Sequence, residues 1–157
     1  MNRSLAPVYL LDDETALVNA LTRLLRLEKF EVKGFDRVSE FRKAFNPALP
    51  ACVVLDVQMP ECNGQDLYNQ LIHENSPVCF VFLTAHGDVP MSVKAIKSGA
   101  VDFLTKPVND TELIQAVEEA ILESLSRKSI LDQQMEIRQR YTTLTPRERE
   151  VMAEVVA

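Results

Sequence analysis

The chain has 157 residues, of which 46% are hydrophobic and 25% charged, and this is the composition of a globular protein and not of a disordered segment. Its 17 Lys and Arg against 23 Asp and Glu give a net charge of −6, and residues 1–123 alone carry −7, so the main body repels nucleic-acid phosphates. The three cysteines lack CxxC spacing, so the sequence supports neither a disulfide framework nor a cysteine zinc site. The N-terminus is unlike a signal peptide, and no apolar run reaches the roughly 20 residues that a membrane span needs. We therefore expect a reduced, soluble, cytoplasmic protein.

The first third of the chain alternates short apolar runs with stretches of helical periodicity. Val8–Leu11 predicts a first strand, and apolar residues recurring from Ala16 to Leu27 predict a helix. Phe30–Phe35 predicts a second strand, and Val38–Phe45 a short helix that ends before two prolines. The continuous apolar run Ala51–Leu55 predicts a third strand, buried on both faces.

The same alternation continues to about residue 125. Its members are a helix over Leu67–Ile72, a strand over Val78–Leu83, a helix from an Asp88 cap through Ile96, a strand over Asp102–Thr105, and a helix from a capping box at Asn109 to Leu125. Five strands and five helices in alternating order predict an α/β fold with a mostly parallel sheet.

The composition changes after residue 123. Residues 124–143 are polar and compatible with a helix, and they predict a helical linker with at most a weak seam for self-association. Thr145 to Glu148 form a second capping box with proline at the first helical position, so residues 144–157 predict the start of another helix. That helix would be marginal alone, so we expect it to begin a truncated domain.

Polar side chains follow four of the predicted strands at the point where each strand ends. Asp12 and Asp13 follow the first strand, Asp56 the third, Thr84 the fourth and Lys106 the fifth. The carboxyl ends of parallel strands meet at one edge of a sheet, where such folds bind their ligands. We therefore expect these five side chains to form one site.

The chemistry of such a site is restricted by its charges. Three clustered carboxylates with one ammonium require a cation, and all-oxygen ligation favours Mg²⁺, with Mn²⁺ as a substitute. A carboxylate can attack a phosphoryl group, and Asp56 stands alone at its strand end, so we assign it the role of nucleophile. Asp12 and Asp13 then hold the metal, while Thr84 and Lys106 stabilise the added negative charge.

These motifs resemble those of a known family. The pair Asp12-Asp13, the segment VVLDVQMP around Asp56, Thr84-Ala85 and Lys106-Pro107 occur in the order and spacing of the receiver domain of two-component response regulators, FixJ/NarL subfamily. The resemblance implies a flavodoxin-like (CheY-like), doubly wound five-stranded parallel sheet of order 2-1-3-4-5 with helices on both faces. It implies a receiver domain over residues 1–123, and TPREREVM in residues 144–157 resembles the start of a LuxR-type helix-turn-helix domain.

The resemblance also assigns roles to individual residues. Asp56 matches the phosphoacceptor and a metal ligand, and Asp13 matches a direct Mg²⁺ ligand. Asp12 would act on the metal directly or through water, and the backbone carbonyl of Gln58 would complete the protein's ligands.

Two further positions match the family's conformational switch. Thr84 matches the hydroxyl that moves toward the phosphoryl group, and Phe103 the aromatic residue that turns inward with it. Lys106 matches the phosphoryl-binding lysine, and its bond to Pro107 is expected to be cis.

The function implied is that of a switch and not of an enzyme. A sensor histidine kinase would phosphorylate Asp56, and the protein would then form a homodimer, through the fourth helix, fifth strand and fifth helix or through the first and fifth helices. DNA binding and transcription regulation would need the rest of the C-terminal domain, and no membrane is involved.

Three alternatives are less well supported by the residues. A Mg²⁺-dependent phosphatase or phosphotransferase would need a general acid two residues after the nucleophile, where Gln58 stands. A nucleotide- or flavin-binding module would need a phosphate loop after the first strand, where Asp12-Asp13-Glu14 stand instead. A receiver that only binds partners would not need a complete site.

Overall fold

The computed structural model describes residues 3–57, 59, 64–85 and 102–143. Three sequence expectations lie outside these residues. They are the Gln58 carbonyl ligand, the helix from Asp88 through Ile96, and the helix start within residues 144–157.

Five short strands form one parallel sheet, as the sequence predicts. They are β1 (Val8–Leu11), β2 (Val32–Phe35), β3 (Cys52–Asp56), β4 (Cys79–Thr84) and β5 (Asp102–Thr105). Every neighbouring pair is parallel, and the order is β2-β1-β3-β4-β5. The expected fold and strand order are therefore confirmed.

The described helices are α1 (Thr15–Leu27), α2 (Val38–Ala44), α3 (Gly64–His73) and α4 (Asp110–Thr143). The long helix α4 continues without a break through the boundary predicted between residues 123 and 124. Among the described helices, none is both long and apolar enough to cross a membrane.

The sheet separates two apolar clusters, one on each face. On one face α1 and α4 cover a cluster that includes Leu25 and Val117, and on the other α2 and α3 cover a cluster that includes Phe41 and Tyr68. All residues of β1, β3 and β4 are buried, because helices cover both of their faces. Cys52 and Cys79 are buried free thiols in register on β3 and β4, as expected for cysteines that act as small hydrophobic residues.

Helix α1 ends in a Schellman motif with a lysine in the left-handed position. The N–H of Phe30 donates to the Leu25 carbonyl and that of Lys29 to the Arg26 carbonyl, and Lys29 has φ 72°. The end of α3 has a similar turn, and there Asn75 takes the left-handed position with φ 57°. Asparagine adopts this conformation more readily than lysine.

Helix α4 is tied to the amino ends of β3 and β4 by a buried serine. The Ser124 hydroxyl is fully buried, accepts a hydrogen bond from the Ala51 N–H at 2.9 Å and donates one to the Pro77 carbonyl at 2.8 Å. Arg127, one turn later, donates to the Val78 carbonyl at 3.4 Å. These contacts position α4 along the sheet.

Candidate functional site

The structure places the predicted site residues at the carboxyl edge of the sheet. Asp12 directly follows β1, while Asp56 and Thr84 are the last residues of β3 and β4. Lys106 directly follows β5, and its N–H donates to the Thr84 carbonyl at 2.9 Å. The site is thus assembled by the parallel register of four neighbouring strands.

Three carboxylates converge at this edge. Asp12, Asp13 and Asp56 each offer one oxygen, and these oxygens lie within 4.8 Å of one another. Asp12 is 2% and Asp56 6% exposed, whereas Asp13 is open to solvent. The cluster is therefore accessible to solvent at Asp13, while the carboxylates of Asp12 and Asp56 are largely removed from water.

Lys106 lies between the two buried carboxylates. Its Nζ is 2.7 Å from Asp12 Oδ2 and donates a hydrogen bond to Asp56 Oδ2 at 3.2 Å. Burial lowers the pKa of the Lys106 ammonium, but the close contacts with Asp12 and Asp56 outweigh that effect, so the pKa is raised. The ammonium is therefore firmly protonated and offsets part of the charge of the cluster. The Lys106–Pro107 bond is cis, as expected.

Both oxygens of Asp12 are engaged. Its Oδ1 accepts a hydrogen bond from the Glu14 N–H at 2.9 Å, which fixes the side chain three residues before the first residue of α1. Its Oδ2 is buried and forms an ion pair with the Lys106 ammonium at 2.7 Å. A buried carboxylate oxygen whose described partner is a single ammonium is also suited to bind a metal cation.

The donor set also fits the expected metal. The cluster consists of carboxylate oxygens, and Asp13 leaves one side open, which suits an ion that keeps several of its waters. Asp12, Asp13 and Asp56 are therefore the described residues that could hold Mg²⁺.

Thr84 and Phe103 lie on the two strands next to the cluster. The Thr84 hydroxyl is buried and donates only weakly, at 3.3 Å, to the carbonyl of the neighbouring residue Ala85. Phe103 is half-buried in β5, in register with Phe82 of β4, and packs on the cluster beneath α2 and α3. The Thr84 hydroxyl is therefore held by one weak hydrogen bond, and the Phe103 ring is partly open to solvent.

The structure thus brings Asp12, Asp13, Asp56 and Lys106 together, with Thr84 at the same edge of the sheet. Phe103 lies two residues before the end of β5, and Gln58 lies outside the described residues. Sequence reasoning missed the contact between Lys106 and Asp12, because it assigned the lysine only to an added phosphoryl group. The excess of three acids over one base at the strand ends was the signal that could have indicated it.

The comparisons with known proteins agree with this geometry. Residues 8–118 match the family model described as the response regulator receiver domain. The response regulator protein TodT of Pseudomonas putida is 38% identical over 145 residues, which are 92% of this chain and 64% of TodT. The chain thus spans somewhat less than two thirds of that relative.

Two solved structures are similar over nearly the whole chain. The response regulator StyR is 36% identical with a TM-score of 0.82, covering 96% of this chain and 76% of StyR. Full-length FixJ from B. japonicum is 36% identical with a TM-score of 0.72, covering 98% of this chain and 75% of FixJ. Together with the family match over residues 8–118, these similarities establish that the chain belongs to the response regulator receiver domain family of two-component systems.

Proposed function

We propose that Asp56 accepts a phosphoryl group from the phosphohistidine of a sensor histidine kinase. The observation that carries the proposal is the convergence of three carboxylate oxygens within 4.8 Å, with the Lys106 ammonium hydrogen-bonded to the one carboxylate that ends a strand. A nucleophile at this place is oriented by the end of β3 and has a cation beside it.

In the proposed reaction, an Asp56 carboxylate oxygen attacks the phosphorus in line with the leaving imidazole. The phosphorus–nitrogen bond breaks as the phosphorus–oxygen bond forms, so the product is an aspartyl phosphate and a neutral histidine after proton uptake from water. Lys106, already 3.2 Å from Asp56, is placed to neutralise the negative charge on the transferred oxygens.

Mg²⁺, when bound, supplies positive charge to the phosphoryl oxygens and offsets the repulsion between them and the carboxylates. Asp12, Asp13 and Asp56 would hold it, together with the Gln58 carbonyl assigned by resemblance. The convergence of one oxygen from each of the three carboxylates within 4.8 Å supports this ligand set.

The proposed switch is a local electrostatic event that acts on Thr84 and Phe103. A phosphoryl group of charge near −2 offers the Thr84 hydroxyl a stronger acceptor than its present bond to Ala85 at 3.3 Å. Movement of Thr84 toward the phosphoryl group would free space into which the half-buried Phe103 ring can turn. Phenylalanine has no hydroxyl, so packing alone would transmit the change.

The proposal for the whole protein is a cytoplasmic transcription regulator that dimerises when phosphorylated. Phe103 lies on the edge strand of the described sheet, so its change of rotamer would alter a surface open to a second copy. DNA binding would belong to a helix-turn-helix domain of which residues 144–157 are the start. No turnover of small phosphoesters is expected.

Phosphoramidate, which carries the same type of phosphorus–nitrogen bond, tests the proposal. With Mg²⁺ it should add one acid-labile phosphate per chain, and borohydride trapping followed by peptide mapping should place it on Asp56. Asp66→Asn, which removes an exposed carboxylate of α3, is the matched control and should label normally. Equal labelling of Asp56→Asn, or a label mapped to another residue, would disprove the assignment.

A further inference from the structure

One edge of the sheet of this acidic protein carries a local excess of positive charge. Residues 23–33 carry four basic and two acidic side chains, a net charge of +2, while the whole chain carries −6 and the remainder therefore −8. Arg23, Arg26, Lys29 and Lys33 are all exposed, and we call them the basic edge. They lie on the last turns of α1, on the turn that follows and on β2.

The basic edge is largely unneutralised within the described residues. Of the two acidic residues among these eleven, Glu28 is paired with Arg3 at 2.8 Å, and only Glu31 is left near the four cations. Apart from Arg26, the members of the basic edge form no ion pair or side-chain hydrogen bond with a described residue. Charge so placed is available to a partner.

The backbone of β2 is open on the same side. The carbonyls of Glu31 and Phe35 accept hydrogen bonds from β1, at 2.8 and 3.2 Å, so the alternate residues Val32 and Gly34 direct their backbone groups away from the sheet. The Arg26 guanidinium donates to the outward Val32 carbonyl at 2.9 Å, so among the described residues the outward groups still open are the Val32 N–H and the backbone of Gly34. Gly34, exposed and without a side chain, leaves the backbone accessible.

A cleft lies on the surface of α1, and Thr22, one of its lining residues, is also close to β2. A Cβ on Gly34 would lie only 2.7 Å from Thr22 Oγ1, so the strand packs closely against the helix surface that carries the cleft. The cleft has a volume of about 440 Å³, and Leu27, 73% exposed, offers an apolar contact in it. Its lining residues are Asn19, Thr22, Arg23, Arg26 and Leu27.

Lys29 adds charge to the basic edge at a position that favours other residues. It occupies a left-handed position at the end of α1, where glycine or asparagine would be less strained, and Asn75 fills the corresponding position of α3. Lysine here brings to the turn between α1 and β2 a positive charge that glycine or asparagine would not.

We propose that the basic edge and the open side of β2 form a docking site for an extended, acidic segment of a partner protein. The segment would add to β2 as a further strand, with main-chain hydrogen bonds to the Val32 N–H and to Gly34 and with carboxylates facing the cations. A protein segment fits better than nucleic acid, because only a peptide backbone can complete main-chain hydrogen bonds to the outward groups of β2. The site lies at the edge of the described sheet opposite β5.

Fluorescence anisotropy with a labelled eight-residue peptide of alternating glutamate and valine tests the proposal on the unmodified chain. We expect saturable binding with a Kd below about 1 mM at low salt, weakened by added salt. The same peptide methylated at every backbone nitrogen has the same charge but cannot donate main-chain hydrogen bonds, and we expect it to bind at least severalfold more weakly. Equal binding of the two peptides, or no saturation, would overturn the proposal.

Charge variants connect the binding to the basic edge. Lys33→Glu should weaken the glutamate–valine peptide about tenfold and Lys29→Gly about threefold, whereas Arg138→Glu, an exposed site on α4, should have little effect. Amide exchange should show new protection at Val32 and Gly34 with peptide present. Equal loss in Arg138→Glu, or tighter binding of a DNA oligonucleotide that is lost in Lys33→Glu, would contradict an acidic protein segment as the occupant.

Discussion

Replacement of Lys106 by methionine should destabilise the metal-free protein and make it more dependent on Mg²⁺. Methionine keeps most of the apolar stem and removes only the ammonium, which lies 2.7 Å from Asp12 and 3.2 Å from Asp56. The variant leaves two carboxylates, 3% and 9% exposed as side chains, next to each other without their shared cation.

The size of the effect follows from these contacts. At an effective dielectric constant near 20, each contact contributes roughly 5 to 6 kcal/mol of attraction before desolvation is subtracted. Breaking a buried ion pair typically costs about 3 to 5 kcal/mol. Since the Lys106 side chain is 25% exposed, we expect about 2 to 3 kcal/mol, or a fall in Tm of about 5 to 10 °C.

Thermal unfolding with EDTA and with increasing Mg²⁺ measures this prediction. If Mg²⁺ replaces the positive charge of the ammonium in Lys106→Met, it should raise the free energy of unfolding of the variant by about 2.7 kcal/mol at a concentration of one hundred times its Kd. Lys128→Met is the control, because it breaks only a surface pair with Asp132 and should cost about 0.5 kcal/mol. If Lys106→Met were as stable as the parent protein in EDTA, the lysine would not be holding the carboxylates together.

Three further predictions concern the fold. Ser124→Ala leaves the buried Ala51 N–H without a partner and the Pro77 carbonyl with only the weak Cys79 thiol at 3.9 Å, so it should lower the free energy of unfolding in urea by about 2 to 3 kcal/mol, and a loss below about 0.5 kcal/mol would contradict the proposed anchoring of α4. Burial raises the pKa of the Cys79 thiol to about 12 and that of Cys52 further, above the unfolded value near 9. Above pH 9 the thiols ionise in the unfolded chain but stay neutral in the folded one, so the free energy of unfolding should fall by about 1.4 kcal/mol per pH unit for each thiol. Below pH 9 this effect is absent, and urea unfolding as a function of pH should show a smaller slope in Cys79→Ala. Lys29→Gly removes the strain of a left-handed lysine but gives the unfolded chain more conformational freedom. Its free energy of unfolding in urea should therefore be equal or higher, by up to about 1 kcal/mol, and clear destabilisation would show that Lys29 is not strained.

The positions of the site residues could be predicted from the sequence, because they depend on where apolar runs end. Asp56 and Thr84 interrupt continuous hydrophobic strands, and parallel strands bring their carboxyl ends together whatever their exact length. The contact of Lys106 with Asp12 could not be predicted in the same way. It depends on a long side chain choosing between two acids, which the strand pattern does not determine.

The ends of two elements also differed from expectation, each for a local reason. Strand β2 begins at Val32, not at Phe30, because the N–H of Phe30 closes the end of α1 by donating to Leu25. Helix α4 runs on as one element to Thr143 although its second half has little apolar surface to bury.

The sequence did contain a signal for the continuous helix. Ion pairs four residues apart stabilise exposed helix without a partner surface, and three of them follow one another along this half of α4. They join Glu123 to Arg127, Lys128 to Asp132 and Glu136 to Arg140. A helix prediction based on the spacing of apolar residues alone does not detect such ion pairs.

The most direct test of the central claim is the intact mass of the chain after incubation with acetyl phosphate, with Mg²⁺ or with EDTA, beside Asp56→Asn. The account predicts a gain of one phosphoryl group that requires Mg²⁺ and is absent from Asp56→Asn. The same gain in Asp56→Asn, or in EDTA, would contradict the assignment of the acidic cluster as a metal-dependent phosphoacceptor site.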